Sequence, residues 1–254
     1  MTALSYVTLG SGPDVVLVHG WGLHGGVWNG LAAALADRYR VTVVDLPGHG
    51  RSADAFAQHI DAWADALAEV VPAAACWIGW SLGATVSLHL CARHPGKAER
   101  LVLVGATPRF TRAPDWPWAM EIETLDAFSR DLRTSYRQTL QRFLSLQLAG
   151  CGSPSVSARQ LRAELFRYGP PDPAGLEAGL AILRTADLRP LLPCLKVPSF
   201  VLHGARDRLV PVAAAEALAH GLGVSCRVFP SAGHAPFLSH SDEFRAAIED
   251  FLDG

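Results

Sequence analysis

The sequence is short of most features that would give a function away directly. It has no C-x-x-C pair and no other metal-ligand spacing. Its five cysteines, Cys76, Cys91, Cys151, Cys194 and Cys226, are scattered and odd in number. That is neither a disulfide framework nor a zinc pattern, so buried free thiols are expected, with no metal and no cofactor. Net charge is only -2, so no global field points to nucleic acid. The opening "MTALSYVTLGSGPD" lacks the basic region and apolar core of a signal peptide. One uncharged stretch, Val70 to Ala92, is long enough for a bilayer. It is interrupted by Pro72, Gly79, Ser81 and Gly83, and reads better as a strand, a tight turn and a buried helix. There is no internal repeat and no low-complexity tract. A cytoplasmic monomer without membrane or nucleic-acid partners is expected.

What is present is enough apolar material for one large core. Half the residues are hydrophobic and 18% are charged, which argues against disorder. Short apolar runs recur at Val15–Val18, Val41–Val44, Cys76–Ile78, Leu101–Val104, Ser199–Leu202 and Cys226–Phe229. Helical stretches lie between or after them: Leu31–Asp37, Asp61–Val71, Leu82–Arg93, Ala213–His220 and Phe244–Leu252. Continuous apolar strands separated by helices predict a mainly parallel sheet covered on both faces. The alternation stops between about Pro108 and Thr185. There, helical periodicity runs through "DAFSRDLRTSYRQTLQRFLSLQLAG", then Val156–Tyr168, then "GLEAGLAILRTADL". This predicts a core of residues 1–108 and 187–254 with a helical insertion at 109–186.

Gly20-Trp21-Gly22-Leu23-His24-Gly25 follows the first apolar run with the spacing of a dinucleotide-binding turn, and Asp45 ends the second run where such a fold places a ribose-binding acid. Another motif carries more chemistry. Gly79-Trp80-Ser81-Leu82-Gly83 is Gly-x-Ser-x-Gly between a predicted strand and a predicted helix. A sharp strand-to-helix turn needs small neighbours around its nucleophile, and it aims the free N–H groups of the helix start at the reacting centre.

A serine hydroxyl is a weak nucleophile and needs a base oriented by an acid. In this chain order the acid comes next, then the histidine. "FVLHGARDRLVP" offers Asp207 in the loop after one strand, and "RVFPSAGHAPF" offers His234 in the loop after the next. Asp187 and His240 are the competitors. The oxyanion of acyl transfer needs two N–H donors. Leu82, directly after the nucleophile, is one candidate and Trp21, in the loop after the first apolar run, is the other. The dinucleotide reading leaves Ser81, Asp207 and His234 without a role.

Together these stretches resemble the α/β-hydrolase family, with HG-W, DLPGHGRS, GWSLG, HGARD-LVP and AGHAPF in order along nearly the whole chain. The resemblance implies an eight-stranded sheet with one antiparallel strand and a helical lid over the site. The serine excludes members with an aspartate nucleophile, and leaves esterases, thioesterases, C–C hydrolases and perhydrolases open.

The predicted lid narrows that choice. Between Arg130 and Arg167 stand seven arginines, Arg130, Arg133, Arg137, Arg142, Arg159, Arg162 and Arg167, against two acids, Asp131 and Glu164. Such a surface suits phosphates, carboxylates and an acidic macromolecule, although a merely solvated helix face reads the same way. Phe143, Leu144 and Leu146 could line an acyl channel or simply pack the lid. The stretches "VLVHGWGLHGGVW", "GWSLGA", "TLQRFLSLQ", "GLAILRTADLRPLL" and "AGHAPFLSHSDEF" are similar to the esterases that act on the methyl ester of pimeloyl-acyl carrier protein in biotin synthesis. That resemblance implies an acyl carrier protein partner, held by basic lid positions such as Arg137, Arg142, Arg159 and Arg162. It also implies substrate contacts at Trp21, Ser81, Leu82, Phe143, Leu144, Ser145, Leu146, Gln147 and His234. General esterases or C–C hydrolases, and a non-catalytic binding protein, are the alternatives.

Overall fold

The computed structural model describes residues 3–53, 58–148, 167–169 and 171–254. Seven strands form one sheet: β1 (Tyr6–Leu9), β2 (Asp14–Val18), β3 (Arg40–Val44), β4 (Ala75–Trp80), β5 (Ala98–Val104), β6 (Ser199–Gly204) and β7 (Cys226–Phe229). Their order is β1-β3-β2-β4-β5-β6-β7. Every neighbouring pair is parallel except β1 with β3. The central strands are apolar at nearly every position because both faces are covered, as with Val15–Val18 and Leu101–Val104, all buried.

The sheet thus has seven strands among the described residues, not the expected eight. Nothing described pairs outside β1, and the residues just before it are committed elsewhere. The Ser5 N–H donates to Ser52 Oγ at 2.8 Å, and the Asp45 N–H donates to the Ser5 carbonyl at 2.9 Å. These bonds draw the chain towards the loop after β3. β1 is also the one strand missing from the apolar-run reading. Its four residues are all exposed, so no burial shapes their pattern.

The helices are α1 (Asn29–Leu35), α2 (Ile60–Ala68), α3 (Leu82–Arg93), α4 (Ile122–Leu148), α5 (Pro173–Thr185), α6 (Val212–Leu222), α7 (Pro236–Ser239) and α8 (Ser241–Asp253). Between β5 and β6 stand α4 and α5. The helical run expected at Val156–Tyr168 lies, but for its last two residues, outside the described residues. α5 starts at Pro173, with the Asp172 carboxylate accepting the Ala174 and Gly175 N–H groups. α4 breaks at Ser135, whose φ of -147° and ψ of 50° are not helical. The two ends of the segment meet: Arg109 and Asp187 form an antiparallel bridge, and the Leu188 N–H donates to the Pro108 carbonyl at 2.8 Å. Side chains join its helices, with Arg133 on Glu177 and Arg184 on Asp126. Cys76 and Cys91 are buried as expected, whereas Cys194 is exposed and Cys226 half-buried; Cys151 lies outside the described residues.

Candidate active site

The parallel strands all point one way, so the loops leaving β2, β3, β4, β6 and β7 open onto one edge. Ser81 follows β4 directly and α3 starts at Leu82. With φ 54° and ψ -117°, Ser81 is the only non-glycine residue with positive φ among the described residues. Such a conformation is costly and persists only where its surroundings enforce it. The enforcement is visible. A Cβ on Gly79 would lie 2.6 Å from Ala84 Cα, and one on Gly83 would lie 2.5 Å from the Val18 and His19 carbonyls. Only glycine permits that approach, which explains both glycines of the motif. The Ser81 N–H donates to the Val104 carbonyl at 2.9 Å, fastening the turn to β5.

His234 sits in the loop after β7 and Asp207 in the loop after β6. Nδ1 of His234 lies 2.6 Å from Oδ2 of Asp207, with both side chains fully buried. The other carboxylate oxygen accepts the Leu209 N–H at 2.8 Å and the Val210 N–H at 3.0 Å. Burial alone would push this carboxyl up. The adjacent His234, its hydrogen bond, His203 and the Val210 amide outweigh that and hold it below its ordinary value. A carboxylate on Nδ1 puts the imidazole proton there and leaves Nε2 as the base. Nε2 of His234 is buried and makes no hydrogen bond among the described residues.

The neighbours tie this histidine to the serine turn. The Trp80 indole N–H donates to the His234 carbonyl at 2.9 Å. The His234 ring lies over Gly105, where a Cβ would meet it at 3.1 Å, and Gly105 follows the Val104 carbonyl that anchors Ser81. The two competitors are used elsewhere. Asp187 is gripped by Arg189 and Arg109, which hold its pKa at about 2 after burial has worked the other way. His240 bonds Ser231 and Ser239 at 2.7 and 2.8 Å.

Two backbone N–H groups flank the serine. Leu82 opens α3, so its amide has no carbonyl one turn back. The Trp21 amide belongs to the loop after β2, where a Cβ on Gly20 would stand 3.3 Å from Ser81 Cβ. Neither amide donates a hydrogen bond among the described residues. The Trp21 side chain is buried, donates through Nε1 to the Leu176 carbonyl at 2.8 Å, and meets Phe143 edge-on at 4.7 Å between ring centroids. Trp21 and Leu82 both lie beneath α5, where a Cβ on Gly179 would come within 2.7 Å and 3.1 Å of their side chains.

Trp21, Gly22, Leu23, Leu140, Phe143, Leu144 and Gln147 line a narrow crevice between the first loop and α4. Gln147 is buried there with neither amide atom hydrogen-bonded among the described residues. Leu146 is half-buried and does not line this crevice. Ser145, expected as a contact, faces the other way: it is exposed and its hydroxyl donates to the Gln141 carbonyl one turn back, as the helical period requires. Of the expected carrier-binding arginines, Arg137 and Arg142 stand exposed on α4. Arg137 lies over the Tyr136 ring, while Arg142 lies over Phe128 and 3.6 Å from Asp131. Arg159 and Arg162 lie outside the described residues.

Asp45 has another task than the ribose contact a dinucleotide-binding fold would give it. Its Oδ1 accepts the Gly25 N–H at 2.7 Å and its Oδ2 accepts the Arg51 N–H and Nε–H. Both oxygens are consumed in joining the loops after β2 and β3, and neither is left for a ribose. The buried histidines around it, His19 and His49, are given no task of their own by the sequence motifs. Their signal is their position directly after a strand and inside "PGHG".

This arrangement places an imidazole, the carboxylate bonded to it, a strained serine and two open amides at one sheet edge, the set of groups that acyl transfer through a serine ester calls for. The match to known proteins agrees with it. Residues 13–241 fit the alpha/beta hydrolase fold. The esterase of Exiguobacterium antarcticum superposes with a TM-score of 0.91 at 24% identity, covering 99% of this chain and 96% of that one. The thermophilic esterase of Thermogutta terrifontis gives 0.84 at 25%, covering 98% and 93%. In sequence, the pimeloyl-acyl-carrier-protein methyl ester esterase of Nitrosomonas europaea is 42% identical, over 98% of this chain and 99% of the relative. That of Chromobacterium violaceum is 44% identical over 97% and 96%. The chain therefore belongs to the alpha/beta hydrolase fold family and, within it, to the group of these methyl ester esterases.

Proposed function

We propose that the chain hydrolyses the methyl ester of pimeloyl-acyl carrier protein through a serine acyl-enzyme. Ser81 Oγ attacks the ester carbonyl while His234 Nε2 takes its proton. The amides of Leu82 and Trp21 hold the oxyanion, and Asp207 keeps the imidazole in place and stabilises its charged form. His234 then protonates the departing methoxide, and methanol leaves. A water deprotonated by His234 attacks the acyl-enzyme, Ser81 recovers its proton, and the free carboxylate stays on the carrier. The steps need no cofactor. The observation that carries the reading is the 2.6 Å bond from His234 to Asp207, with Nε2 left open beside the Ser81 turn.

Residues 109–186 act as the lid in this reading, with the acyl chain along Trp21, Phe143, Leu144 and Gln147. The exposed arginines of α4 face the acidic carrier. The reading puts the enzyme with its carrier in the cytoplasm as a monomer; no described helix is long and apolar enough to cross a membrane. A second reading, a general short-chain esterase, draws on Arg133 and Arg184, which are spent on Glu177 and Asp126 within the insertion. The deciding experiment is hydrolysis of pimeloyl methyl ester carried on purified acyl carrier protein, with unloaded carrier as competitor. Release of the carboxylate and inhibition by carrier support the first reading. Turnover of small esters alone, unaffected by carrier, supports the second.

A further inference from the structure

His19 directly follows β2 and is completely buried, in the same loop that offers the Trp21 amide. It makes two hydrogen bonds of opposite sense. Leu46, in the loop after β3, has a backbone N–H 2.9 Å from Nε2 of His19. A backbone N–H can only donate, so Nε2 is an acceptor and carries no proton. A neutral imidazole then has its single proton on Nδ1. Nδ1 lies 2.8 Å from the Gly20 carbonyl oxygen, which can only accept. The tautomer and both bonds are therefore mutually fixed. Burial first, and then His49, lower the His19 pKa to about 3 against the pull of Asp45, with His24 adding a small further push down. The ring is neutral throughout the working range of an esterase.

The Gly20 carbonyl and the Trp21 N–H belong to one peptide unit. That unit is planar and trans, and no cis peptide occurs among the described residues. In a trans unit the C=O and N–H point in opposite directions. A bond that pins the oxygen on the core side therefore sets the direction of the N–H on the other side. The plane stands against the nucleophile, since a Cβ on Gly20 would be 3.3 Å from Ser81 Cβ. The Trp21 amide donates to nothing among the described residues. Glycine at position 20 offers no Cβ to limit rotation of this plane, so a fixed orientation needs an outside constraint.

We infer that His19 is a positioning residue for the oxyanion site, which holds the Gly20–Trp21 peptide so that its N–H faces the carbonyl attacked by Ser81. The inference rests on the serine acyl-enzyme reading above. His19 touches no substrate. It acts through the peptide, and its effect falls on the transition state, where the oxyanion forms, more than on ester binding.

The test compares two variants that each keep one half of the arrangement. In His19→Asn the side-chain amide nitrogen falls near the place of Nδ1 and still donates to Gly20. In His19→Gln the amide falls near Nε2 and can accept from Leu46, but nothing donates to Gly20. With p-nitrophenyl butyrate, His19→Gln is expected to lose about 10- to 100-fold in kcat with KM within about three-fold, less than the 100- to 1,000-fold cost of deleting an oxyanion donor outright. Affinity for n-butylboronic acid, whose tetrahedral serine adduct carries an oxyanion, should fall by a similar factor. His19→Asn should recover most of both. Equal kcat losses in two variants that melt like wild type, or a His19→Gln enzyme within three-fold of wild type, would overturn the inference. Where a variant does not fold, 15N spectra of the wild-type histidines decide. A proton on His19 Nδ1 from pH 5 to 8 supports the assignment and a proton on Nε2 refutes it. A wild-type protein inactive on every ester would instead remove the acyl-enzyme reading, a result that the spectra do not depend on.

Discussion

His203 Nε2 lies 3.4 Å from Oδ2 of Asp207 and 2.9 Å from the Val210 carbonyl, so the strand end before the acid also holds the loop that carries it. Val210 in turn gives its N–H to Oδ1 of the same carboxylate. Asp207 is thus fixed from the strand, from its own turn and from His234. Asp207→Asn should keep this geometry but present an amide where His234 needs an acceptor, allowing the wrong tautomer. Its kcat is expected to fall by roughly 100- to 10,000-fold. Asp187→Asn, which loosens Arg109 and Arg189 instead, should leave kcat within a few-fold and lower the melting temperature. The reverse pattern in steady-state rates and thermal melts would mean that the acid is misassigned.

Ser81 is held at a φ of 54°, a backbone state that a residue with a Cβ resists. Ser81→Ala removes the proposed nucleophile alone and should cut ester hydrolysis by about 10,000-fold or more. Ser81→Gly removes the nucleophile and the strain together. It should be as inactive, yet melt at a higher temperature than Ser81→Ala, by an amount that corresponds to about 1 kcal/mol. Differential scanning calorimetry of the two dead variants makes the comparison. A glycine variant less stable than the alanine one would show that the turn stores no strain.

Part of what the fold assembles at this sheet edge leaves a trace in the sequence, and the reason is chemical. Ser81, Asp207 and His234 stand in motifs whose small residues are demanded by backbone contact, as at Gly79 and Gly83. Such demands leave a local trace. Features set by distant partners left none. The helical periodicity around Arg133 does not reveal Glu177, which lies 44 residues further along. Asp45 fell where a different fold would use it, and only its bonds to Gly25 and Arg51 identify its task. β1 is exposed and short, so no alternation marks it. The break of α4 at Ser135 interrupts a sequence whose periodicity runs straight through. Ser145 was carried along with its neighbours in "RFLSLQ" although a helix turns it to the opposite side.

The buried histidines predict how stability depends on pH. Burial holds His19 at about 3 and His49 at about 4, both from an ordinary value of 6.5. The unfolded chain takes up these protons below about pH 6.5 while the folded one does not. Folding stability is therefore full above that pH and falls as pH drops towards 4, by at most about 1.4 kcal/mol per unit for each histidine. For the two together the loss between pH 7 and pH 5 is on the order of 3–4 kcal/mol. Asp45, Asp65, Asp187 and Asp207, all held below their ordinary values, extend the loss below about pH 4. Urea unfolding at pH 7 and pH 5 measures it. His49→Asn, which retains a donor for the Pro47 carbonyl, should flatten the dependence by about half. An unchanged midpoint across this range would mean that the two rings are not neutral in the folded state.

The last prediction separates carrier recognition from chemistry. Arg137 and Arg142 are exposed on α4, and Arg142 lies 3.6 Å from Asp131, a pair too long and too wet to be worth much. If this face receives the acidic carrier, reversing both charges as Arg137→Glu and Arg142→Glu should act on that partner alone. The proposed serine, base and oxyanion amides sit on sheet loops, whereas both arginines stand exposed on α4. A small neutral ester should therefore be cleaved within about three-fold of wild type. The carrier-bound ester should lose about 10-fold or more in kcat/KM, because a charge contact at an interface is worth roughly 1–3 kcal/mol and reversal adds repulsion. Wild-type kcat/KM on the carrier-bound ester should also fall with salt, since the Debye length is already only about 8 Å at 0.15 M. The double variant should have lost most of that salt dependence. Arg133→Ala offers the contrast: it breaks the Glu177 pair that ties α4 to α5, so it should lower turnover of both esters alike if it acts at all. A doubly reversed enzyme that handles both substrates as well as wild type, at any salt, would leave the exposed arginines as a solvated helix face and the enzyme as a general esterase.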